Sequence, residues 1–482
     1  MAVLEQLYNE RFFYFFEELT RIPRGSGNTR EVSEYVCSFA EKNGLSYRKD
    51  EKGNVLVIKE AAPGYEESST VMLQGHLDMV CEKNMTSQHN FMTDPLPLAI
   101  MDDYIYSKNT SLGADDGIAA AYMLAILEDK ELLSPRLECL FTVDEEIGML
   151  GADFFDASDC RAEYLLNIDS EDEGIFTGSC AGGARVNASV PVRLKEKSGI
   201  RYNLVVSGFR GGHSGTEIDK YYGNANIILG RLLHHLTLHV KFSIISLQGG
   251  LQDNAICREA NAEILVEEKD CSNFEDFIDE FEGIIRNEYR ATEKNIQIYC
   301  DEQGTDSCQA LTHKTQERII FLLNTIPDGV QKMSMEIPGL VQTSLNLGIM
   351  RLKGDSFTVT SAIRSSIESE RDALADKIKY LSLTIGGSFE KQGIYPAWEY
   401  REDSRLRNLI LEKYKELTGK EGVACGIHAG LECGILSKKL PKADIISYGP
   451  DICDIHTPKE KLSISSSRRV YELTLEVLKS LK

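Results

Sequence analysis

No run of about 20 apolar residues occurs anywhere in the 482-residue sequence, so no membrane-spanning helix is expected. The start, "MAVLEQLYNERFFYFFEELTRIPRGSGNTREV", lacks the basic region and cleavage site of a secretory leader. Its aromatics alternate with acids and arginines as in an amphipathic helix. No two cysteines form a CxxC pair. The 12 cysteines are scattered, and in a long chain without a leader they read as reduced thiols of a cytoplasmic protein. Basic residues are in short supply: 53 Lys and Arg stand against 75 Asp and Glu, a net charge of -22. That deficit argues against nucleic acid and against an anionic membrane as partner. No low-complexity linker marks a domain joint.

What is present is the composition of a soluble globular protein, 42% hydrophobic and 27% charged. The length exceeds one ordinary core and predicts two or three domains. In the first 185 residues, "NVLVIKE", "TVMLQGH", "LECLFTVDEE" and "AEYLLNID" read as strands, and "LGADDGIAAAYMLAILEDKEL" as a turn and a long Ala-rich helix. Strands alternating with helices predict an α/β fold, its sheet mixed and largely parallel and flanked by helices. Such sheets carry their sites at the carboxyl ends of strands. After "GSCAGGARVNASVPVRL" strand-like segments become frequent ("RYNLVVSG", "FSIISLQG", "NAEILVEEK", "NIQIYC", "LGIMRLKGDSFTVTSAIRS"), with helices between them. From "SRLRNLILEKYKELTGK" onward the helix-then-strand pattern resumes. The expected architecture is therefore one α/β domain in two parts, residues 1–186 and 399–482, interrupted by an α+β insertion over 187–398.

In "VMLQGHLDMVCEKN" a buried-looking strand ends in His76 and Asp78. Residues i and i+2 of an extended segment share a face, so both address one volume, where an imidazole and a carboxylate suit a metal or a proton transfer. Alone, the stretch reads better as a strand end that merely meets water. Four further ends change that reading: "GADDG" with Asp115 and Asp116, "TVDEEIG" with Asp144, Glu145 and Glu146, "NIDSEDEG" with Asp169, and "DICDIHTPKE" with His456. Acids at helix starts are common. Five such ends on the carboxyl edge of one sheet are the donor set of a cation cluster. Zinc accepts His nitrogen and carboxylate oxygen. Two metals about 3.5–4 Å apart need a bridging carboxylate. Adjacent acids such as "EE" can send one carboxylate to metal and the other to water.

"GHLDMVCEKN", "SLGADDGIAAAYMLA", "TVDEEIGMLGA", "NIDSEDEG", "GFRGGHSGTEID", "HAGLECG" and "DIHTPKE" together resemble the dizinc exopeptidase family that includes carboxypeptidase G, peptidase T and the aminoacylases. The match covers the chain in order and is nearest the aminoacyl-histidine (Xaa-His) dipeptidases. The resemblance implies that His76, Asp115 and Asp169 hold one zinc, and Asp115, Glu146 and His456 the other. It makes Asp78 the acid that orients His76, Glu145 the general base and His213, in "RGGHSG", the oxyanion donor. Asp116 is not carried over, and the Asp115–Asp116 peptide is expected to be cis. Asn254, Arg364 and His428 become candidates for holding a peptide and its carboxylate, with a turn asparagine and a surface arginine as the plain alternatives for the first two. His234, His235 and His239 read as structural.

The expected activity is metal-dependent hydrolysis of dipeptides, Xaa-His dipeptides among them. Two divalent ions would act, zinc first, with manganese or cobalt compatible with so carboxylate-rich a set. The insertion is expected to serve as a lid and dimerisation domain, making the partners a small peptide substrate and a second copy of the chain. A related amidohydrolase (a tripeptide aminopeptidase or an aminoacylase) and an inactive binding protein of the same fold are the rival readings. Asp169 and "HAGLECG" count against the aminoacylase, and the intact ligand set against the inactive protein.

Overall fold

Helix Ala114–Glu128 has no polar stripe: every residue from Ala114 to Leu127 is buried. A helix apolar all round belongs inside a fold. It packs on the strand Val71–His76 and on helix Arg11–Thr20, whose Phe12 ring meets Tyr122 edge-on at 5.0 Å. The computed structural model describes residues 2–482, and the chain forms two units, each with its own hydrophobic core. The first unit takes the chain up to Cys180, Trp398–Gly426 and Leu431–Lys482.

Its main sheet has eight strands in the order Ser46–Lys49, Val55–Lys59, Leu137–Thr142, Val71–His76, Tyr164–Asn167, Asp444–Ser447, Ile175–Cys180 and Val423–Ile427. The four strands from Leu137–Thr142 to Asp444–Ser447 run parallel, and the pairs flanking them are antiparallel. The strands Leu137–Thr142 and Val71–His76 are buried at every position, as expected where both faces of a parallel sheet are covered. Four parallel strands ending on one edge bring together chain segments up to several hundred residues apart.

The second unit, Ala181–Ala397 with Ile427–Gly430, is built on a nine-stranded antiparallel sheet. "LGIMRLKGDSFTVTSAIRS" splits into Val341–Lys353 and Ser356–Ser365, a hairpin in which Lys353 faces Ser356. The two-residue turn needs a positive φ at its first position, and Gly354 supplies it at +60°. Helices Ala225–Thr237, Cys271–Glu288, His313–Thr325 and Glu368–Thr384 accompany the sheet.

Candidate active site

The register of the parallel strands sets the site. His76 lies opposite Thr142, Gln74 opposite Asn167, and Asn167 opposite Ser447, so the next residues of all four strands leave from one edge. Gly75 is required here. A Cβ on it would stand 2.6 Å from Ala119 Cβ and 2.4 Å from an Asp116 carboxylate oxygen, so only glycine admits the central helix.

One carboxylate spans the two histidines. Asp115 Oδ1 lies 3.1 Å from His76 Nε2, and Asp115 Oδ2 lies 3.1 Å from His456 Nε2. Glu146 lies 3.1 Å from His456 Nε2, and Asp169 Oδ1 lies 3.7 Å from His76 Nε2. Asp115, Glu146 and His456 form one trio with donor atoms within 4.8 Å of one another. His76 and Asp169 form another with Asp116, whose Oδ2 accepts the His76 backbone N–H at 3.1 Å. The Asp115–Asp116 peptide is cis. Burial opposes ionisation of Asp115, yet its bonds to His456 and His76 hold its pKa well below the carboxylate range. The bonds of His456 to Asp115 and Glu146 lift it to about 10. Burial pushes Asp169 and Asp116 well above the ordinary value. The donor set fits a divalent cation. Ligands about 2.0–2.1 Å from a tetrahedral zinc stand about 3.3 Å apart, which the 3.1–3.7 Å separations match.

Asp78 does more than face His76. Its carboxylate is 3.5 Å from His76 Nδ1, accepts the Ser26 hydroxyl at 2.8 Å, and accepts the backbone N–H groups of Glu145 at 3.1 Å and Glu146 at 3.3 Å. One buried acid thereby joins the His76 strand to the "EE" turn. Among the described residues no side chain donates a hydrogen bond to Glu145; the protein packed around it pushes its pKa to about 8, with Glu432, Glu146 and Asp115 adding to the shift. Asp144, at φ 56°, instead takes the Gly27 N–H at 2.7 Å.

Sequence reasoning missed a polar layer beneath this edge. Glu432, fully buried at the start of helix Glu432–Lys439, accepts from Gln74 Nε2 at 2.5 Å and from the Thr142 hydroxyl at 2.7 Å. Asn167 Nδ2 donates to Gln74 Oε1 at 2.7 Å. Three neighbouring strand ends are thus cross-linked one step below the donors. The only sequence signal was the polar residue that interrupts each apolar strand.

In the second unit, His213, Asn254, Arg364 and His428 come together. Gly212–His213 pairs with Ala255–Ile256, and the Ser214 N–H bonds to the Asn254 carbonyl at 2.9 Å. His213 Nδ1 accepts the N–H groups of Gly215 at 3.3 Å and Thr216 at 3.2 Å. Amide N–H groups only donate, so the ring proton of neutral His213 sits on Nε2. Ser344, opposite Arg364 in register, bonds His428 Nε2 at 2.7 Å, and Arg364 Nη1 donates to the Tyr395 hydroxyl at 2.9 Å. Burial, with Arg364 adding to it, pushes His428 down to about 3, so it is neutral near pH 7. Arg364 Nε and His428 Nδ1 are buried without a hydrogen-bond partner among the described residues. His213 and Asn254 line a cavity of about 850 Å³ with Arg210, Arg258 and Arg351. His235 and His239 pack on Phe277, as structural residues do.

An α/β sheet carrying histidine and carboxylate donors on its carboxyl edge, with an inserted antiparallel unit, is an arrangement suited to the class of metal-dependent hydrolases. The match to known proteins is specific within it. The model of peptidase family M20/M25/M40 matches residues 72–480, and the chain belongs to that family. It is 35% identical to the cytosol non-specific dipeptidase of Escherichia coli (strain K12), across 100% of this chain and 99% of the relative. The crystal structure of the aminoacylhistidine dipeptidase from Vibrio alginolyticus superposes with a TM-score of 0.91 at 33% identity, covering 98% of this chain and 96% of that one. Aminopeptidase PepT from Bacillus cereus ATCC 10987, at 15% identity and TM-score 0.57 over 98% of both chains, shares the fold. No helix among the described residues is long and apolar enough to cross a membrane.

Proposed function

We propose that the protein hydrolyses dipeptides with a free amino terminus, Xaa-His dipeptides among them, as a cytoplasmic homodimer using two divalent ions. One observation carries the reading: Asp115 offers one oxygen to each histidine, 3.1 Å from His76 Nε2 and 3.1 Å from His456 Nε2. In this reading His76, Asp115 and Asp169 hold one ion, and Asp115, Glu146 and His456 the other, zinc first and manganese or cobalt next. When bound, the ions supply Lewis acidity to the scissile carbonyl and to water. Glu145 takes the proton of the attacking water and delivers it to the leaving amine. His213 donates Nε2–H to the oxyanion. Asn254, Arg364 and His428 hold the peptide, the guanidinium fork suiting its carboxylate. The insertion, residues 187–398, acts as lid and dimer contact. The names of the two relatives near 35% identity support a dipeptide substrate and differ on the side chains accepted.

The test uses purified protein with zinc, manganese or cobalt and a panel of Xaa-His, His-Xaa and other dipeptides, a tripeptide and an N-acyl amino acid. Dipeptides are expected to be cleaved fastest. Glu145→Gln is expected to keep its metal and lose about 10²–10⁴-fold in rate. Preference for the tripeptide or the N-acyl amino acid, or near-normal turnover in Glu145→Gln, refutes the proposal.

A further inference from the structure

Two buried charges flank the turn that delivers Asp115, and neither offers a donor atom to the metal centre. Arg24 is 2% exposed. Its Nη1 donates to the carbonyls of Leu77 at 2.8 Å and Asp78 at 3.2 Å, and its Nη2 to the carbonyl of Gly113 at 2.5 Å. One planar fork ties the segment just past His76 to the segment just before Asp115. Glu460 is also 2% exposed and takes the opposite polarity. Its Oε2 accepts the N–H groups of Leu112 at 2.7 Å and Gly113 at 3.0 Å, and its Oε1 those of Ala114 at 2.7 Å and Asp115 at 3.4 Å. The same residue closes the His456 loop, donating its own N–H to the Thr457 carbonyl at 3.2 Å. The fork therefore spans His76 to Asp115, and the carboxylate spans Asp115 to His456.

The glycines of "GADDG" fit this arrangement. A Cβ on Gly113 would stand 2.7 Å from Arg24 Nη2, and one on Gly117 would stand 2.4 Å from it. Alanine in a helix is favoured over glycine by about 1 kcal/mol. Gly117 lies within helix Ala114–Glu128, and the slot for the arginine explains its presence there.

We infer that Arg24 and Glu460 are positioning residues with separate duties. Arg24 sets the His76–Asp115 half of the centre, and Glu460 sets the Asp115–His456 half. The inference rests on the reading that these residues hold metal. Groups that orient a ligand typically govern metal affinity by about 10–100-fold. Here each group is expected to govern one ion and spare the other.

The experiment measures zinc affinity by competition with a chromophoric chelator in two single-site backgrounds, His456→Ala for the first site and His76→Ala for the second. Arg24→Lys keeps the charge and loses the fork. It is expected to weaken zinc about 10–100-fold in the His456→Ala background and less than about threefold in the His76→Ala background. Glu460→Gln is expected to show the reverse. Gly117→Ala leaves the arginine in place and fills its slot, and Glu460→Asp withdraws the carboxylate by one methylene. These two are expected to follow Arg24→Lys and Glu460→Gln, and they decide the matter where the first variants do not fold. A purely structural role would lower thermal stability without dependence on the background. Equal losses in both backgrounds, or losses below about threefold throughout, overturn the inference alone. A wild-type protein that binds no zinc overturns the metal reading and this inference with it.

Discussion

Replacing Asp78 by asparagine isolates what this acid does, because shape is kept and one acceptor becomes a donor. In the wild type the two oxygens serve the N–H groups of Glu145 at 3.1 Å and Glu146 at 3.3 Å, with Ser26 at 2.8 Å and His76 Nδ1 at 3.5 Å. Whichever way the amide is turned, its NH₂ meets one of those backbone N–H groups. A buried donor left unpaired costs about 1–3 kcal/mol, and a hydrogen bond to a charged group is itself worth about 1.5–3 kcal/mol. The "EE" turn should therefore loosen by about 2–4 kcal/mol, and at least 2 kcal/mol of lost transition-state alignment is about 30-fold in rate. The assay is kcat/KM for a dipeptide at saturating metal, so that weaker binding of the ion does not enter. Ser26→Ala is the control: it removes one hydroxyl, leaves both amide N–H groups paired and should cost only about 1 kcal/mol. If Asp78→Asn turns over within about threefold of the wild type, or no worse than Ser26→Ala, the hub role assigned to Asp78 is wrong.

Three further outcomes are expected. His76→Ala and His456→Ala should each lose about one of two metal equivalents, read by elemental analysis after dialysis, and retention of both equivalents in both variants would contradict the ligand assignment. Burial raises Asp328 to about 7, while its Oδ1 accepts from Leu347 N at 2.8 Å and Asn224 Nδ2 at 3.1 Å. The folded form thus holds its proton more tightly than the unfolded one, so this group's contribution is most favourable below about pH 4, falls as pH rises to about 7, and stays low above that. Asp328→Asn should gain on the wild type by a few kcal/mol between pH 4 and pH 8 in chemical denaturation, and parallel pH curves would refute the assignment. His213→Ala should lose about 10²–10³-fold in kcat with metal content unchanged, whereas a loss confined to KM would mean uniform binding. In hybrids with Glu145→Gln subunits, recovered activity assigns His213 to the partner's site, and inactivity of proven hybrids assigns it to its own chain.

The candidate donor cluster was legible because metal chemistry demands particular residue types at particular local spacings. His76 and Asp78 stand two apart at a strand end, and Glu145 and Glu146 are adjacent. The strands were legible too, since Leu137–Thr142 and Val71–His76 are uninterrupted buried runs. What escaped are residues whose partners are backbone groups far along the chain. Nothing in "RIPRG" announces that Arg24 will meet the Gly113 carbonyl, nor in "HTPKE" that Glu460 will collect four amide N–H groups. Three consecutive acids in "TVDEE" look alike in sequence, and only the left-handed backbone of Asp144 turns it toward Gly27.

The centre draws His76, Asp115, Glu146 and Asp169 from before residue 180 and His456 from after residue 430, so the first unit must bring two remote pieces of chain into register before the centre exists. The structure invests in that join. Asn167 pairs with Ser447, Ser170 Oγ bonds Ser447 Oγ at 2.9 Å, and the Glu173 N–H bonds Asp451 at 2.7 Å. The Ile452 N–H bonds the Glu171 carbonyl at 2.9 Å, and Arg469 grips the Glu173 carboxylate with both arms of its fork, at 2.7 and 2.5 Å. All of these contacts cross between the stretch around Asp169 and the stretch before or after His456. Closing so long a loop costs entropy that grows only slowly with its length, so a handful of partly buried bonds and two parallel strands suffice to hold it. Ions that bind only the assembled centre then add their binding energy to the same closure. In the proposed reading, metal binding and the union of the two halves are thereby linked, each favouring the other. If the proposed ligand sets hold, weakening the Arg469–Glu173 pair should therefore loosen the ion assigned to His456 before it disturbs the one assigned to His76.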